Sequence, residues 1–461
     1  MNPWLPDAAA LSRPAYLSLA EQFAQAIQRG ALATGERLLP QRQLADLLGL
    51  SLQTVSRAYE ELGRRGLVAG QVGRGSFVLP AGAEPRAPYL AQRSREAVDL
   101  SILKPVTDQM HLDKMREGLG WLADNLPPPA ALSFRVNSVL PAHHQVAANW
   151  LARGGIDVPP ERIVITDGAT PAITTAIMTA VPPGGTLAAP SLTHHLLFPL
   201  VRYLGLHLES LPLDDEGISP AGLDKLARRG NLHAVYLQPA GINPRAIVAG
   251  ADHRAEIVAI CRRHDLTIIE NDMLNSIIVD RPPPYAALAP ERVLHINGFT
   301  KTTLPGLRVA YLVVPERLAT AASNRHLVTN WIATPVMVEL LSHWILDGTI
   351  SGLIDWQCKA LAVRHRLAAE LMSGLSVRTH PQALHLWVEL PPNLAEDEFV
   401  TQAHKRGVAI ASGRSFRPCD RPGGGAVRIA LGAAGIDDLR RGLLLVRGML
   451  NQTAEPMLPL I

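Results

Sequence analysis

The chain is short of cysteine, of aromatic rings, of net charge and of long apolar runs, and each shortage excludes a class of protein. Three cysteines occur in 461 residues, Cys261, Cys358 and Cys419. They are far apart and show no C-x-x-C spacing, which argues against a disulfide framework or a structural zinc site and for a reducing, cytoplasmic setting. Aromatic residues make up 5% and charged residues 18%, with 44 Lys+Arg against 41 Asp+Glu for a formal charge of +3. With so little net charge, any contact with nucleic acid must come from a local patch. No run of about 18 apolar residues could span a bilayer, and no basic-then-apolar signal segment opens the chain. No metal site is expected. What the chain does have is a 47% hydrophobic share, enough for a sizeable core, and a length that suggests two or three domains at about 150 residues each.

Residues 1–79 read as a unit distinct from the rest. "YLSLAEQFAQAIQRG" places Leu19, Phe23, Ala26 and Ile27 on one helical face that Gly30 can end. "PQRQLADLLGL" fits a short helix from Pro40 to Gly49, and "SLQTVSRAYEELGRRG" a third with Ser51 as its cap and Val55, Ala58, Tyr59 and Leu62 inward. "LVAGQVGRGSFVLP" then reads as two strands around a Gly-rich tip. Three small helices and a hairpin make a winged helix-turn-helix. In that motif the exposed residues early in the third helix read base edges, here Ser51, Gln53, Thr54 and Arg57. Arg42 and the wing-tip Arg74 are placed for phosphates or the minor groove. Eight arginines against six acids leave this unit only weakly basic. The blander reading is a small helical domain whose arginines merely face solvent or a protein partner.

Residues 80–98, Pro80 followed by "AGAEPRAPYLAQRSREAV", have no sustained apolar face and read as a linker. From 99 to 461, apolar runs alternate with helical patterns: "RIVIT", "GTLAAP", "AVYLQP", "LTIIEND", "RVLHING" and "RVAYLVVP". Such alternation implies an α/β sheet with its ligands at the carboxyl ends of the strands. Lys301 sits in a Thr-rich turn after one of these runs. A lysine presented at a fixed point and able to lose its proton can form a Schiff base with a carbonyl cofactor. Most lysines in turns are solvated surface residues, so context decides.

That context is a set of resemblances. "ALATGERLLPQRQLADLLGLSLQTVSRAYEELGRRGLVAGQVGRGSFV" resembles the winged helix-turn-helix of GntR-type regulators. "FTKTTLPGLRVAYLV" resembles the lysine segment of fold-type I, pyridoxal 5′-phosphate-dependent aminotransferases. "TDGATPAI" is similar to their phosphate loop, "QPAGINPR" to their Asn-Pro motif and "AVRIAL" to the strand with their carboxylate-binding arginine, all in family order. The two parts together resemble MocR-type regulators from end to end. The resemblance implies pyridoxal 5′-phosphate on Lys301, with its phosphate on Gly168, Ala169, Thr170, Thr300 and Arg308. It implies Asn243 on the ring hydroxyl, His194 where the family stacks an aromatic ring, and Arg428 on a ligand carboxylate. It also implies a homodimer that binds operator DNA and responds to a small amino compound or to the cofactor.

"IIENDMLNSII" departs from the family, which shows an acid for the pyridine nitrogen followed by a tyrosine. Asn271 or its neighbour Asp272 takes the acid's place, and Met273 and Leu274 offer no hydroxyl. An Asn cannot hold the pyridinium proton as a carboxylate does, so the departure favours a regulator over a working aminotransferase carrying a DNA-binding module. A cofactor-free scaffold is the third reading.

Overall fold

The structure is a computed structural model and describes residues 4–12, 14–71, 75–80, 97–132, 141–278, 280–418 and 425–451. Arg74, Cys419 and nearly all of the expected linker lie outside the described residues. The chain divides into two compact units, Met1–Arg95 and Glu96–Ile461.

The first unit contains α1 (Ala15–Gln28), α2 (Gln41–Leu48) and α3 (Leu52–Arg64), then the antiparallel strands β1 (Val68–Gln71) and β2 (Gly75–Val78). Helix α2 stops at Gly49, whose φ of 64° is left-handed and suits a residue without a Cβ. Two residues later Ser51 opens α3, its Oγ accepting from Thr54 N at 3.1 Å. Leu19, Phe23, Leu44, Val55, Ala58, Tyr59 and Leu62 close one core, and Tyr59 reaches its polar end out to donate to Leu39 O at 2.7 Å. Of the expected inner face of α1, Leu19, Phe23 and Ala26 are buried and Ile27 is half-buried, while Ala20 joins the core. Helix ends are less legible than faces, and here α1 stops before Gly30.

The second unit opens with β3 (Val98–Asp99), α4 (Gln109–Asn125), α5 (Pro128–Leu132), α6 (Pro141–Arg153), β4 (Ile163–Thr166) and α7 (Ala169–Ala180). Then come β5 (Thr186–Pro190), β6 (His207–Leu211), β7 (Leu232–Leu237), β8 (Thr267–Asn271), β9 (Val293–Gly298) and β10 (Ala310–Val313). Seven strands form one sheet in the order β4-β10-β9-β8-β7-β5-β6, with β10 antiparallel to both its neighbours and the remaining pairs parallel. Strands covered on both faces are largely apolar, and "TLAAP" and "AYLV" are buried at every position. Helix α7 covers one face, packing Ala172, Ile173 and Ile177 with Tyr236, Ile269 and Ile296. Helix α6 and the helix Ala251–Arg263 pack into the core on the other, around Leu151, Ile257, Ile268 and Tyr311.

Two smaller sheets follow, made of β11 (Val377–Arg378), β12 (His385–Glu389), β13 (Val408–Ala409), β14 (Ala411–Ser412) and β15 (Ala426–Ala430). One runs β11-β12-β15-β14; the other pairs β13 with β3 in parallel. Neither these pairings nor β6 was legible in the sequence. Edge strand β6, "HLESL", is mostly half-buried and carries no continuous apolar run.

The wing unit rests on one small core, so Leu62→Ala, at a position with no exposure, should cost it about 2–5 kcal/mol. Denaturant titration of the full chain should show an earlier N-terminal transition with the later one unmoved.

Candidate cofactor site and DNA-binding face

Strands β4, β7, β8 and β9 all end on the same side of the parallel sheet, and their loops carry Gly168, Asn243, Asn271 and Lys301. The lysine loop is a tight turn: Thr302 N and Thr303 N donate to Phe299 O at 3.1 and 2.9 Å. Phe299 is itself pinned between Trp150 and Tyr311, with ring centroids 5.4 and 5.5 Å away. The turn holds Lys301 largely out of water, where Nζ donates to Leu103 O. Burial pushes its amine down to about 8, helped by the neighbouring guanidinium groups of Arg428 and Arg308.

The loop from β4 to α7 approaches Arg308 closely. Gly168 has φ 94°, and a Cβ there would lie 2.8 Å from Arg308 Nη2. Arg308 is itself left-handed at φ 49°, a conformation a non-glycine residue keeps only under constraint. Its Nη2 donates to Asp167 O at 3.2 Å. Helix α7 starts at Ala169 with no side chain capping its first N–H groups, and the Thr300 hydroxyl is buried without a partner among the described residues. An uncapped helix N-terminus, an orphaned hydroxyl and an arginine together make an anion site.

Arg428 is an interior residue of β15, 3% exposed. Nη1 donates to Asn243 Oδ1 at 2.8 Å and Nη2 to Ser101 O at 2.7 Å, while Nε has no partner among the described residues. The guanidinium lies 4.6 Å from the centre of the Phe416 ring. Burial lowers its proton affinity, and it stays a cation at neutral pH. His194 sits edge-on to His195, centroids 5.0 Å apart. Burial, then their cationic neighbours, push His194 down to about 3 and His195 to about 4, so both rings are neutral. No carboxylate among the described residues pairs with Lys301, Arg308 or Arg428.

Asn271 and Asp272 go to different places. Asn271 lies on the α7 face with Ile269, donates through Nδ2 to Tyr236 Oη at 2.6 Å and leaves Oδ1 buried and unpaired. Asp272 pairs with Arg281 at 2.8 Å and joins a fully buried group with Glu270 and His295. Burial alone would raise the Glu270 carboxyl, but the His295 ring and the backbone N–H groups of Tyr285 and Ala286 outweigh it and hold it low. Met273 packs on Gly298, where a Cβ would meet its Cε at 2.7 Å. The sequence offered no sign of Tyr236, Phe416, or the carbonyls of Ser101 and Leu103. His195, directly after His194, was the one legible signal passed over.

On the first unit, Arg42, Ser51, Gln53 and Arg57 are exposed, and Arg57 stacks 4.2 Å from the Tyr16 ring. Thr54 is half-buried and shares a 2.8 Å hydrogen bond with Ser51 Oγ, so it is more a cap partner than a free reader. A cleft of about 380 Å³ beside them is lined by Arg37, Gln41, Arg42 and Leu52, among others. Among the described residues no helix is long and apolar enough to cross a membrane.

Residues 135–443, about two thirds of the chain, match the family described as aminotransferase class I and II. The chain belongs to that family. Residues 15–78 match the bacterial regulatory proteins of the gntR family, so the first unit is a DNA-binding one. The HTH-type transcriptional regulator YdeF of Bacillus subtilis is 25% identical over 97% of both chains. The HTH-type pyridoxine biosynthesis transcriptional regulator PdxR of Corynebacterium glutamicum is 26% identical over 86% of this chain and 87% of its own. The crystal structure of Pyrococcus horikoshii kynurenine aminotransferase shares the fold at a TM-score of 0.71 and 18% identity, covering 78% of this chain and 93% of that one. In this order the two parts make a transcription regulator, and the cofactor of its aminotransferase domain is pyridoxal 5′-phosphate. The orphaned Thr300 and Asn271 oxygens, the α7 N-terminus and the close approach at Gly168 fit that group.

A lysine that loses its proton at about 8 rather than 10.5 has roughly a tenth of its amine neutral at pH 7. Uptake of pyridoxal 5′-phosphate by the apo-protein should therefore accelerate with pH and level off above about 8. Stopped-flow absorbance reads this directly.

Proposed function

We propose that this regulator is a homodimer that binds operator half-sites through α3, holds pyridoxal 5′-phosphate at Lys301 and responds to a small amino compound bearing a carboxylate. The observation that carries this reading is the meeting of Lys301, Arg308, Arg428 and Asn243 with an asparagine, Asn271, on the pyridine side. The bound cofactor supplies an aldehyde for amines and, when its ring nitrogen is protonated, an electron sink. Lys301 Nζ would hold the aldehyde carbon. Thr300, Arg308, Gly168, Ala169 and Thr170 would hold the phosphate, and Asn243 would take the ring hydroxyl.

Asn271, oriented by Tyr236, meets the ring nitrogen with an amide that has no proton-binding charge. Binding is retained and the electron sink is weakened, which suits a sensor. Arg428 attracts the carboxylate of the ligand, and the neutral His194 and His195 wall the cavity without adding charge. Exposed Leu132 and Leu346, on helices that touch each other, support burial of this apolar surface against a second copy. A ligand moves the DNA-binding equilibrium only through unequal affinity for its two states. Gln53, Arg57 and Arg42 face the DNA.

A working aminotransferase is the second reading, favoured by the low proton affinity of Lys301. It requires turnover of an amino acid with a keto acid.

Lys301→Ala should abolish the visible absorbance of bound pyridoxal 5′-phosphate; an unchanged spectrum refutes the assignment. Wild-type protein that turns over at ordinary aminotransferase rates, about 1 s⁻¹ or more, would establish the enzyme reading instead. Arg57→Ala should weaken operator binding by about 1–3 kcal/mol in a gel-shift titration at fixed salt and leave the cofactor spectrum unchanged.

A further inference from the structure

The backbone of residues 98–108 crosses both buried cations. Its start is laced into the small sheets: Val98 N donates to Gly407 O and Leu100 N to Ala409 O, both at 2.8 Å, and Ala430 N donates to Leu100 O at 2.7 Å. Its end is the Asp108 capping box that opens α4. Between these anchors Ser101 O accepts from Arg428 Nη2 at 2.7 Å and Leu103 O accepts from Lys301 Nζ. Asp99 Oδ1 holds the turn by accepting from Ser101 N at 2.9 Å and from Ser101 Oγ at 2.7 Å. Gly432 lets the strap lie flat, because a Cβ there would come within 2.1 Å of Lys104 O.

This arrangement conflicts with a ligand. A carboxylate grips a guanidinium through two N–H groups on one edge. Asn243 Oδ1 holds Nη1 and Ser101 O holds a hydrogen of Nη2, so a carboxylate that grips the Nη1–Nη2 edge must displace both. Lys301 has the same difficulty. Bonding of its neutral amine to an aldehyde carbon forms a C=N bond and expels both N–H hydrogens with the carbonyl oxygen as water. The donor to Leu103 O is then spent.

We propose that the strap is an internal competitor: the carbonyls of Ser101 and Leu103 are held by the two cations, and the cofactor and a ligand carboxylate displace them. This rests on the proposed function and supplies its regulation. Residues 97 and 98 are the last of the expected linker, so displacement frees the backbone leading to the DNA-binding unit. By linkage, whatever loosens the strap must tighten the ligand by the same factor.

The test uses the full-length protein, pyridoxal 5′-phosphate, and a phosphopyridoxyl amino acid that carries cofactor and carboxylate in one reduced molecule. Amide hydrogen exchange at Val98 and Leu100 should accelerate about tenfold on saturation with the phosphopyridoxyl amino acid, while the β7 and β8 amides stay protected. Unchanged or increased protection of the strap, with binding confirmed by absorbance, overturns the proposal. Absence of binding by either compound overturns the proposed function itself and the strap mechanism with it. Asp99→Ala, which loosens the Ser101 turn, should tighten the phosphopyridoxyl amino acid about tenfold, as a lost hydrogen bond to a charged group allows. Weaker binding would mean that the strap helps to hold the ligand, and would refute competition. Gly432→Ala should act in the same direction by forcing the strap outward. If it does not fold, exchange on the wild type and the Asp99→Ala titration still decide.

Discussion

Two buried cations with no carboxylate paired to them among the described residues are the constraint on which the rest of this site depends. Lys301 and Arg428 lie among apolar strands and neutral histidines, where an isolated charge is costly. Lysine meets that cost by giving up its proton readily. Arginine cannot, so it is surrounded by acceptors: an amide oxygen, a backbone carbonyl and the face of Phe416. A carboxylate would have been the simplest partner for either. Compensation comes instead from neutral acceptors: Leu103 O for Lys301, Ser101 O and Asn243 Oδ1 for Arg428.

The large sheet supplies the precision this requires. Strands buried on both faces admit little adjustment, so the loops at their carboxyl ends are held at fixed points. Gly168 and Arg308 show how tight the fit is: one must lack a Cβ and the other must take a left-handed backbone for the two loops to meet. Beside this frame, Tyr236 holds the Asn271 amide in position, and Met273 fills the space beside Gly298.

The wing unit makes a different use of its residues. Its core is small, so α3 owes its position to Ser51, Gly49, the buried face of Val55, Ala58 and Leu62, and Arg65 after its end, which bridges Glu61 and Glu21 of α1. Arg57 on that helix is exposed and laid over Tyr16.

Much of this was legible in the order of residues, because local periodicity and side-chain chemistry are written there. The period of 3.6 in α3, the continuous apolar runs of β4, β5, β7 to β10, the lysine turn and the arginine of β15 all follow from near neighbours in the chain. The strand pairing of β3 with β13, the edge strand β6 and the separation of Asn271 from Asp272 do not. They depend on which face of a strand meets which helix, and a shift of one residue reverses that. Only the tertiary structure could place the carbonyls of Ser101 and Leu103 on cations about 200 and 330 residues away, since every residue carries a carbonyl and no side chain marks the ones that matter.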